Sequence, residues 1–350
     1  VFEVIEPGDA RWTRAVDESG ADIFYRPEFA RFRAEGQPHR PVMFHYEDAL
    51  GRVFDVTTIR EVSRLPFYED VASTFRQPPI DLASPEYNGP IVAGERAGEL
   101  RARYRAAVDG WCRQSGVVTE FVRVHPFAEG VDASLPVASE VIAVDLREGY
   151  EAAARRYRKG HRGDVRKASR DGARIAIVEP DEARVARFAS LYLETMERRQ
   201  AKSVYRFQPE YFASMFRHLG SRAILAEAHA GTGSLAAMAV FFVGGAHVWY
   251  MYNAAVESES GGGVITLMLD RLFAWAAERG CSWFMLGGGF QPGDGLYRFK
   301  MGFSQTALPV RHIRHVHDAD AYQRLIAAKN AHDARHGRSP GADYFPSYWL

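Results

Sequence analysis

Cysteine is scarce: Cys112 and Cys281 are the only thiols in the chain. Two cysteines make neither a disulfide framework nor a thiolate metal centre, and they fit a reducing cytosol. Net charge is also missing, since 44 Lys and Arg offset 44 Asp and Glu. The chain as a whole is therefore not built to bind a polyanion, and any such role has to come from local segregation of charge. The opening residues, VFEVIEPGDARW, lack the basic-then-apolar pattern of a secretory signal. They also lack an initiator Met, so a trimmed chain or a piece of a longer one is expected. No Ser-His-Asp or Cys-His arrangement stands out. The twelve histidines show no metal-ligand spacing, and His312, His315 and His317 read as strand and loop residues on mixed faces. No metal and no cofactor is expected. Charge is absent again over the 23 residues from Ser234 to Val256, a length that would span a membrane as a helix. Gly244-Gly245 in the middle and the Val, Phe, Tyr and Trp on either side predict instead two buried strands joined by a tight turn.

What is present is ordinary for a folded cytoplasmic protein. With 350 residues, 47% hydrophobic and 25% charged, two domains with sizeable cores are expected. Short strands and helices alternate up to residue 138, among them Phe2 to Ile5, a pair at Val42 to Tyr46 and Arg52 to Val62, and an amphipathic helix at Glu95 to Ser115. Arg76 to Gly94, with four prolines and Asn88-Gly89-Pro90, reads as a long turn-rich loop. After Ser134 to Ala138 a similar order starts again. Strands are expected at Val141 to Leu146, Ala173 to Val178, Ala223 to His229, Leu235 to Val243 and His247 to Tyr252, and helices at Asp181 to Arg199, Pro209 to Leu219 and Val264 to Gly280. A late strand (Thr306 to Val316), a late helix (Ala319 to His336) and an aromatic tail with Tyr344, Phe345, Tyr348 and Trp349 complete the chain. The tail is expected to dock on a domain.

Two segments carry the chemistry. Cys281 to Phe303 begins as an apolar strand and turns through Gly287 to Gly289, where backbone can approach a ligand closely. It ends on Tyr297, Arg298, Phe299 and Lys300, two cations interleaved with two aromatics. Such a loop at the carboxyl end of a strand is a common site location, and a surface turn with packed aromatics is the plain alternative. The second segment, Arg155 to Arg170, holds eight Lys or Arg against one Asp in sixteen residues. Arg155, Arg156, Arg158, Lys159, Arg162, Arg166 and Lys167 are its candidate phosphate or RNA contacts. Gly160 and Gly163 are expected to break it into two short helices.

A strand, a glycine turn and a helix also recur at Tyr250 to Asp270, and free N–H groups at a helix start bind phosphate. Acyl-CoA transferases of the GNAT fold carry Arg or Gln, two residues, Gly, one residue, then Gly or Ala at this place. Here the window is Ser258 to Gly263. The glycines fit, the Arg or Gln is missing, and Glu257 and Glu259 would repel a pyrophosphate.

Taken together, the basic segment YRKGHR, then LYLETMERRQ, a Tyr-Phe helix from Pro209, the charge-poor hairpin, the three glycines and GLYRFKMGF resemble the Fem family. The resemblance covers Ser139 to Val316 well and the first 138 residues loosely. It implies an α+β fold of two tandem GNAT-like domains, each a mixed, mostly antiparallel sheet with flanking helices. The first would be 1–138 completed by 312–350, the second 139–311. It implies transfer of an aminoacyl group from aminoacyl-tRNA, as co-substrate, to the amine of a small peptide-like acceptor or a peptidoglycan precursor, including antibiotic-type natural products. Phe299 and Lys300 then lie at the reaction centre, with Lys300 stabilising charge on the ester carbonyl or the leaving ribose oxygen. Arg206 is the candidate phosphate-holding Arg of the second domain. The corresponding Lys of the first domain is missing, with Arg33 the nearest cation. Tyr250, Tyr252 and Asp294 could assist or be structural; Gly288, Gly289, Tyr297 and Arg298 complete the candidate substrate contacts. An acyl-CoA N-acyltransferase on the same fold and a non-catalytic RNA-binding module are the competing readings. A monomer with no membrane span is expected.

Overall fold

Apolar alternation at Phe2–Ile5 makes the first strand, β1, and Asp9, accepting from Arg11 N at 2.9 Å, caps the first helix, α1 (Ala10–Ser19). Pro27 opens α2 (Pro27–Ala34). The chain continues through β2 (His39–Asp48), β3 (Gly51–Glu61), β4 (Ile80–Asn88), β5 (Ile91–Gly94), α3 (Ala97–Ser115) and β6 (Val117–Val124). Then come β7 (Val137–Asp145), α4 (Tyr150–Arg155), α5 (Lys159–Arg170), β8 (Arg174–Val178), α6 (Glu182–Arg198) and α7 (Pro209–Leu219). The strands β9 (Ala223–His229), β10 (Leu235–Gly244) and β11 (His247–Ala255) are followed by α8 (Val264–Glu278), β12 (Trp283–Gly287) and α9 (Gly295–Lys300). The chain ends with β13 (Ala307–Val316) and α10 (Ala319–Arg335). This computed structural model describes residues 1–259, 261–291, 293–338 and 344–349. Ser260 of the glycine window, Pro292 of the site turn, and 339–343 and Leu350 of the tail lie outside the described residues.

The chain forms two units, Val1–Ala138 with Val310–Leu350, and Ser139–Pro309. Their sheets have the same plan. In the first unit the order is β1-β2-β3-β4-β6-β13, antiparallel throughout except for the parallel pair β4 and β6. In the second it is β8-β9-β10-β11-β12-β7, antiparallel except for the parallel pair β11 and β12. A parallel pair needs a crossover; α3 supplies it in the first unit and α8 in the second. Each sheet is thus mixed and mostly antiparallel with flanking helices, as the resemblance implies.

The charge-free segment is the β10–β11 hairpin, turning at Gly244–His247. All of β10 is buried except Val243. It is a central strand between β9 and β11, so both of its faces are covered and neither can carry charge. Among the described residues no helix is long and apolar enough to cross a membrane.

Two local expectations fail. Residues 76–94 hold β4 and β5 rather than one long loop. Pro85 misleads because it sits in an irregularity: the ladder to β6 jumps from Ala83 opposite Phe121 to Tyr87 opposite Arg123, and a bulge tolerates a residue that cannot donate. The basic segment is not broken at Gly160 and Gly163 either, for α5 runs through both. Glycine costs a helix about 1 kcal/mol per position, and the inner face of α5, described next, holds it in place.

Candidate active site

The site elements belong to the second unit. Parallel pairing of β11 with β12 stops at Trp249 opposite Met285, and beyond it β11 continues to Ala255 while β12 ends at Gly287. In the first unit the corresponding ladder of β4 with β6 continues to the strand ends at Asn88 and Val124. Among the described residues, the second unit therefore opens its sheet at the carboxyl ends of its parallel strands, where ligands bind in such sheets.

Into that opening comes Lys300. It is 7% exposed, its Nζ donates to Gly288 O at 2.8 Å, and it lies 5.9 Å from the Tyr250 ring centroid. Burial pulls its pKa down to about 8, against a smaller upward pull from Asp294. The three glycines are required by their neighbours. A Cβ on Gly287, whose φ is +75°, would stand 3.4 Å from Lys300 Nζ; one on Gly288 would meet Glu140 O at 2.5 Å; one on Gly289 would meet Asp294 Oδ1 at 2.4 Å. Lys300 rides on a short helix, α9, rather than a loop.

Asp294 builds this turn. Its Oδ1 accepts from Tyr297 N at 2.7 Å, and its Oδ2 accepts from Phe290 N at 2.7 Å and Gln291 N at 3.1 Å. Those hydrogen bonds hold its pKa below the usual carboxylate range. With both oxygens engaged, Asp294 shapes the loop rather than binding substrate. Tyr297 donates to Glu140 Oε2 on β7 at 2.7 Å, and Arg298 is exposed. Tyr252 is set apart, its hydroxyl 2.7 Å from that of Tyr211 in a cluster of rings with Tyr192, Phe207 and Phe212. Arg206 is exposed, with Nε on Ala201 O at 3.2 Å.

The basic helix is fastened to this loop. His161, the one imidazole in the basic run, has Nε2 2.9 Å from Phe299 O. Its ring lies 4.4 Å from that of Phe303, edge to face. A Cβ on Gly302 would stand 2.2 Å from the same imidazole, so the glycine of KMGF is the space His161 occupies. At the start of the segment buried Tyr157 donates to Asp270 of α8 at 3.2 Å. Farther along, α5 lies on the glycine turn before α8: a Cβ on Gly263 would meet Asp164 Cβ at 2.7 Å, and one on Gly262 would come within 3.6 Å of Lys167 Nζ. All eight cations of 155–170 are exposed. Of these, Arg156 pairs with Glu148, and Lys167 and Arg170 with Asp171. Glu140, His161 and Asp164 were not singled out from sequence. The lone His among cations was the available signal for one of them; Asp164 acts through Cβ and backbone proximity, and Glu140 through its backbone oxygen at Gly288 and its carboxylate on Tyr297, contacts that leave no sequence pattern.

Residues 155–301 match the family model described as an acetyltransferase (GNAT) domain. Among solved structures the chain is similar to FemX, at 12% identity and a TM-score of 0.72, covering 92% of this chain and 99% of that one. It is also similar to L-PGS from Bacillus licheniformis, at 13% identity and a TM-score of 0.53, over 93% of this chain and 97% of that one. A third is the C-terminal domain (DUF2156) of a putative lysylphosphatidylglycerol synthetase from Agrobacterium fabrum, at 17% identity and a TM-score of 0.51, over 93% and 95% of the two chains. Comparison with curated protein sequences gives no match. The chain thus shares its fold over nearly its whole length with FemX, and most of its second unit is similar to the GNAT domain model.

Proposed function

We propose that the protein transfers an aminoacyl group from aminoacyl-tRNA to the amine of a small peptide-like acceptor or a peptidoglycan precursor. The observation that carries this reading is the fastening of an exposed eight-cation segment to the backbone of the Lys300 loop through His161. A long anionic donor needs cations arrayed beside the reacting atom. The chemistry then asks little of the protein. The acceptor nitrogen attacks the ester carbonyl, the carbon–oxygen bond to the ribose breaks, and the proton lost by the amine ends on the departing ribose hydroxyl. Lys300, buried and close to the opening of the sheet, stabilises negative charge on the carbonyl or leaving oxygen. The glycine turn and α9 fix its position.

An acyl-CoA donor is the second reading, and the GNAT match of residues 155–301 favours it. Against it stands the glycine turn before α8. In that reading its N–H groups receive a pyrophosphate, yet here α5 lies against Gly263 through the Cβ and backbone of Asp164, and Glu257 and Glu259 beside the turn would repel a pyrophosphate.

The test offers purified protein a mixture of charged tRNAs with a panel of amine acceptors. Loss of one aminoacyl group is expected, abolished when the donor mixture is treated with ribonuclease and not restored by acetyl-CoA. Saturable acetyl-CoA binding by calorimetry together with ribonuclease-resistant turnover would install the second reading instead.

A further inference from the structure

The histidines of this stretch lie on mixed faces, as expected: His312 and His315, three positions apart on β13, project to opposite sides of the sheet. His315 near the end of β13 and His317 just beyond it bring their rings together, with centroids 4.4 Å apart. Asp109, from the fourth turn of α3, joins them. One ligand-type atom from each of the three lies within 4.8 Å of the other two. The surroundings are arranged as they are around metal-binding histidines. Glu120 Oε2, on the neighbouring strand β6, is 3.3 Å from His317 Nε2 and accepts its proton. The other ring nitrogen of His317, Nδ1, faces Asp109 Oδ1 at 4.0 Å. A carboxylate that holds one imidazole nitrogen and turns the other outward is the usual second layer of a metal site. Neither ring nitrogen of His315 is hydrogen-bonded among the described residues. Arg105 fixes both carboxylates, reaching Glu120 Oε2 at 2.7 Å and Asp109 Oδ1 with Nε at 2.8 Å. Two carboxylates and one guanidinium leave the cluster with a net negative charge when the imidazoles are neutral. His317 also lines a cavity of about 290 Å³ with Asp318 and Asp320.

We infer that Asp109, His315 and His317 bind one divalent transition cation of the zinc class, clipping α3 to β13 within the first unit. Two imidazoles and a carboxylate with a fourth position open to water suit zinc or cobalt(II), and disfavour calcium and magnesium, which take oxygen ligands.

The test uses the untagged full chain, stripped with chelator and titrated with Co(II), then with Zn(II) in competition. One equivalent of Co(II) is expected to give visible d–d absorption of a low-symmetry nitrogen–oxygen site, displaced by Zn(II). His315→Ala, an exposed position whose loss leaves the fold intact by circular dichroism, is expected to weaken binding by at least about tenfold. Glu120→Gln, which keeps the ligands and alters only the layer behind them, is expected to weaken it by about 10–100-fold. His312→Ala, outside the cluster, is the unaffected control. No visible band from the wild-type chain, or equal affinity in His315→Ala and wild type, would overturn the site.

Discussion

Lys300 is where protonation and position meet. Its ammonium is nearly enclosed, and burial lowers its pKa to about 8, so at neutral pH most of the population still carries the charge. The folded pKa lies below the unfolded one, near 10.4. The cost of burying the cation is therefore fully present below pH 8 and fades as pH rises toward 10. Lys300→Met is accordingly expected to be more stable than wild type at pH 6, with the gain shrinking by pH 10 in urea titrations. Its activity should fall about a hundredfold or more, the loss typical of removing one fixed oxyanion partner. In wild type, kcat should decline as pH rises through about 8, and this inflection should be missing from the Met variant. A wild-type rate that instead climbs through pH 8 would show the neutral amine acting as a base and would rule out the oxyanion role.

At the scale of elements, α5 decides how the cations are used. Its inner positions, His161, Asp164 and Ala168, recur at helical spacing and meet Phe299, the Gly263 turn and the core, which leaves Lys159, Arg162 and Arg166 on the open side. Reversing Arg158, Lys159 and Arg166 to Glu should leave the helix in place, because none of the three forms an ion pair among the described residues. It should weaken binding of charged tRNA and flatten its salt dependence, by somewhat less than one unit of log–log slope for each phosphate no longer neutralised. Unchanged slopes in a filter-binding titration would reduce the segment to a solvated face. The same helix shows what a sequence can reveal. Patterns carried by side-chain period were legible: the Gly-Gly hairpin inside a charge-free run, and α3 with Leu100, Tyr104, Val108 and Cys112 buried on one face. Features set by packing were not. Gly160 and Gly163 look like breakers until His161 finds Phe299, Pro85 looks like a loop until the bulge opposite β6 admits it, and Asp294 looks reactive until three backbone N–H groups take its oxygens. At the candidate site the Gly-rich stretch and Lys300 could be read from composition, but Glu140 and Asp164 could not, since their contacts, with Gly288 and Tyr297 for the one and Gly263 for the other, join residues far apart in the chain.

At the scale of the whole chain, the first unit is finished only by the last residues. β13 returns to pair with β6, α10 follows, and Leu325 and Tyr348 enter a core with Val62, Phe67, Tyr68 and Val118. The docking of the aromatic tail centres on Asp81, a carboxylate with no exposed surface. Thr119 donates to its Oδ1 through N at 2.9 Å and Oγ at 2.6 Å, Tyr348 donates through its hydroxyl at 2.8 Å, and Trp349 Nε1 reaches Oδ2 at 2.7 Å. The Arg60 guanidinium lies 4.2 Å over the Trp349 ring. Tyr348 and Asp81 are 267 positions apart, but the loop cost of bringing them together is small. Closure entropy grows only with the logarithm of length, and β13 has already brought the chain back. What the tail supplies is donors for a carboxylate stripped of its water. Tyr348→Phe removes one of them and little volume, so the penalty should be that of a buried acceptor left short, about 1–3 kcal/mol of unfolding free energy. Tyr344→Phe, at an exposed position with 43% of its surface accessible, should stay within about 0.5 kcal/mol. Equal urea midpoints for the two variants would show that the tail merely rests on the first unit and that Asp81 is satisfied without it.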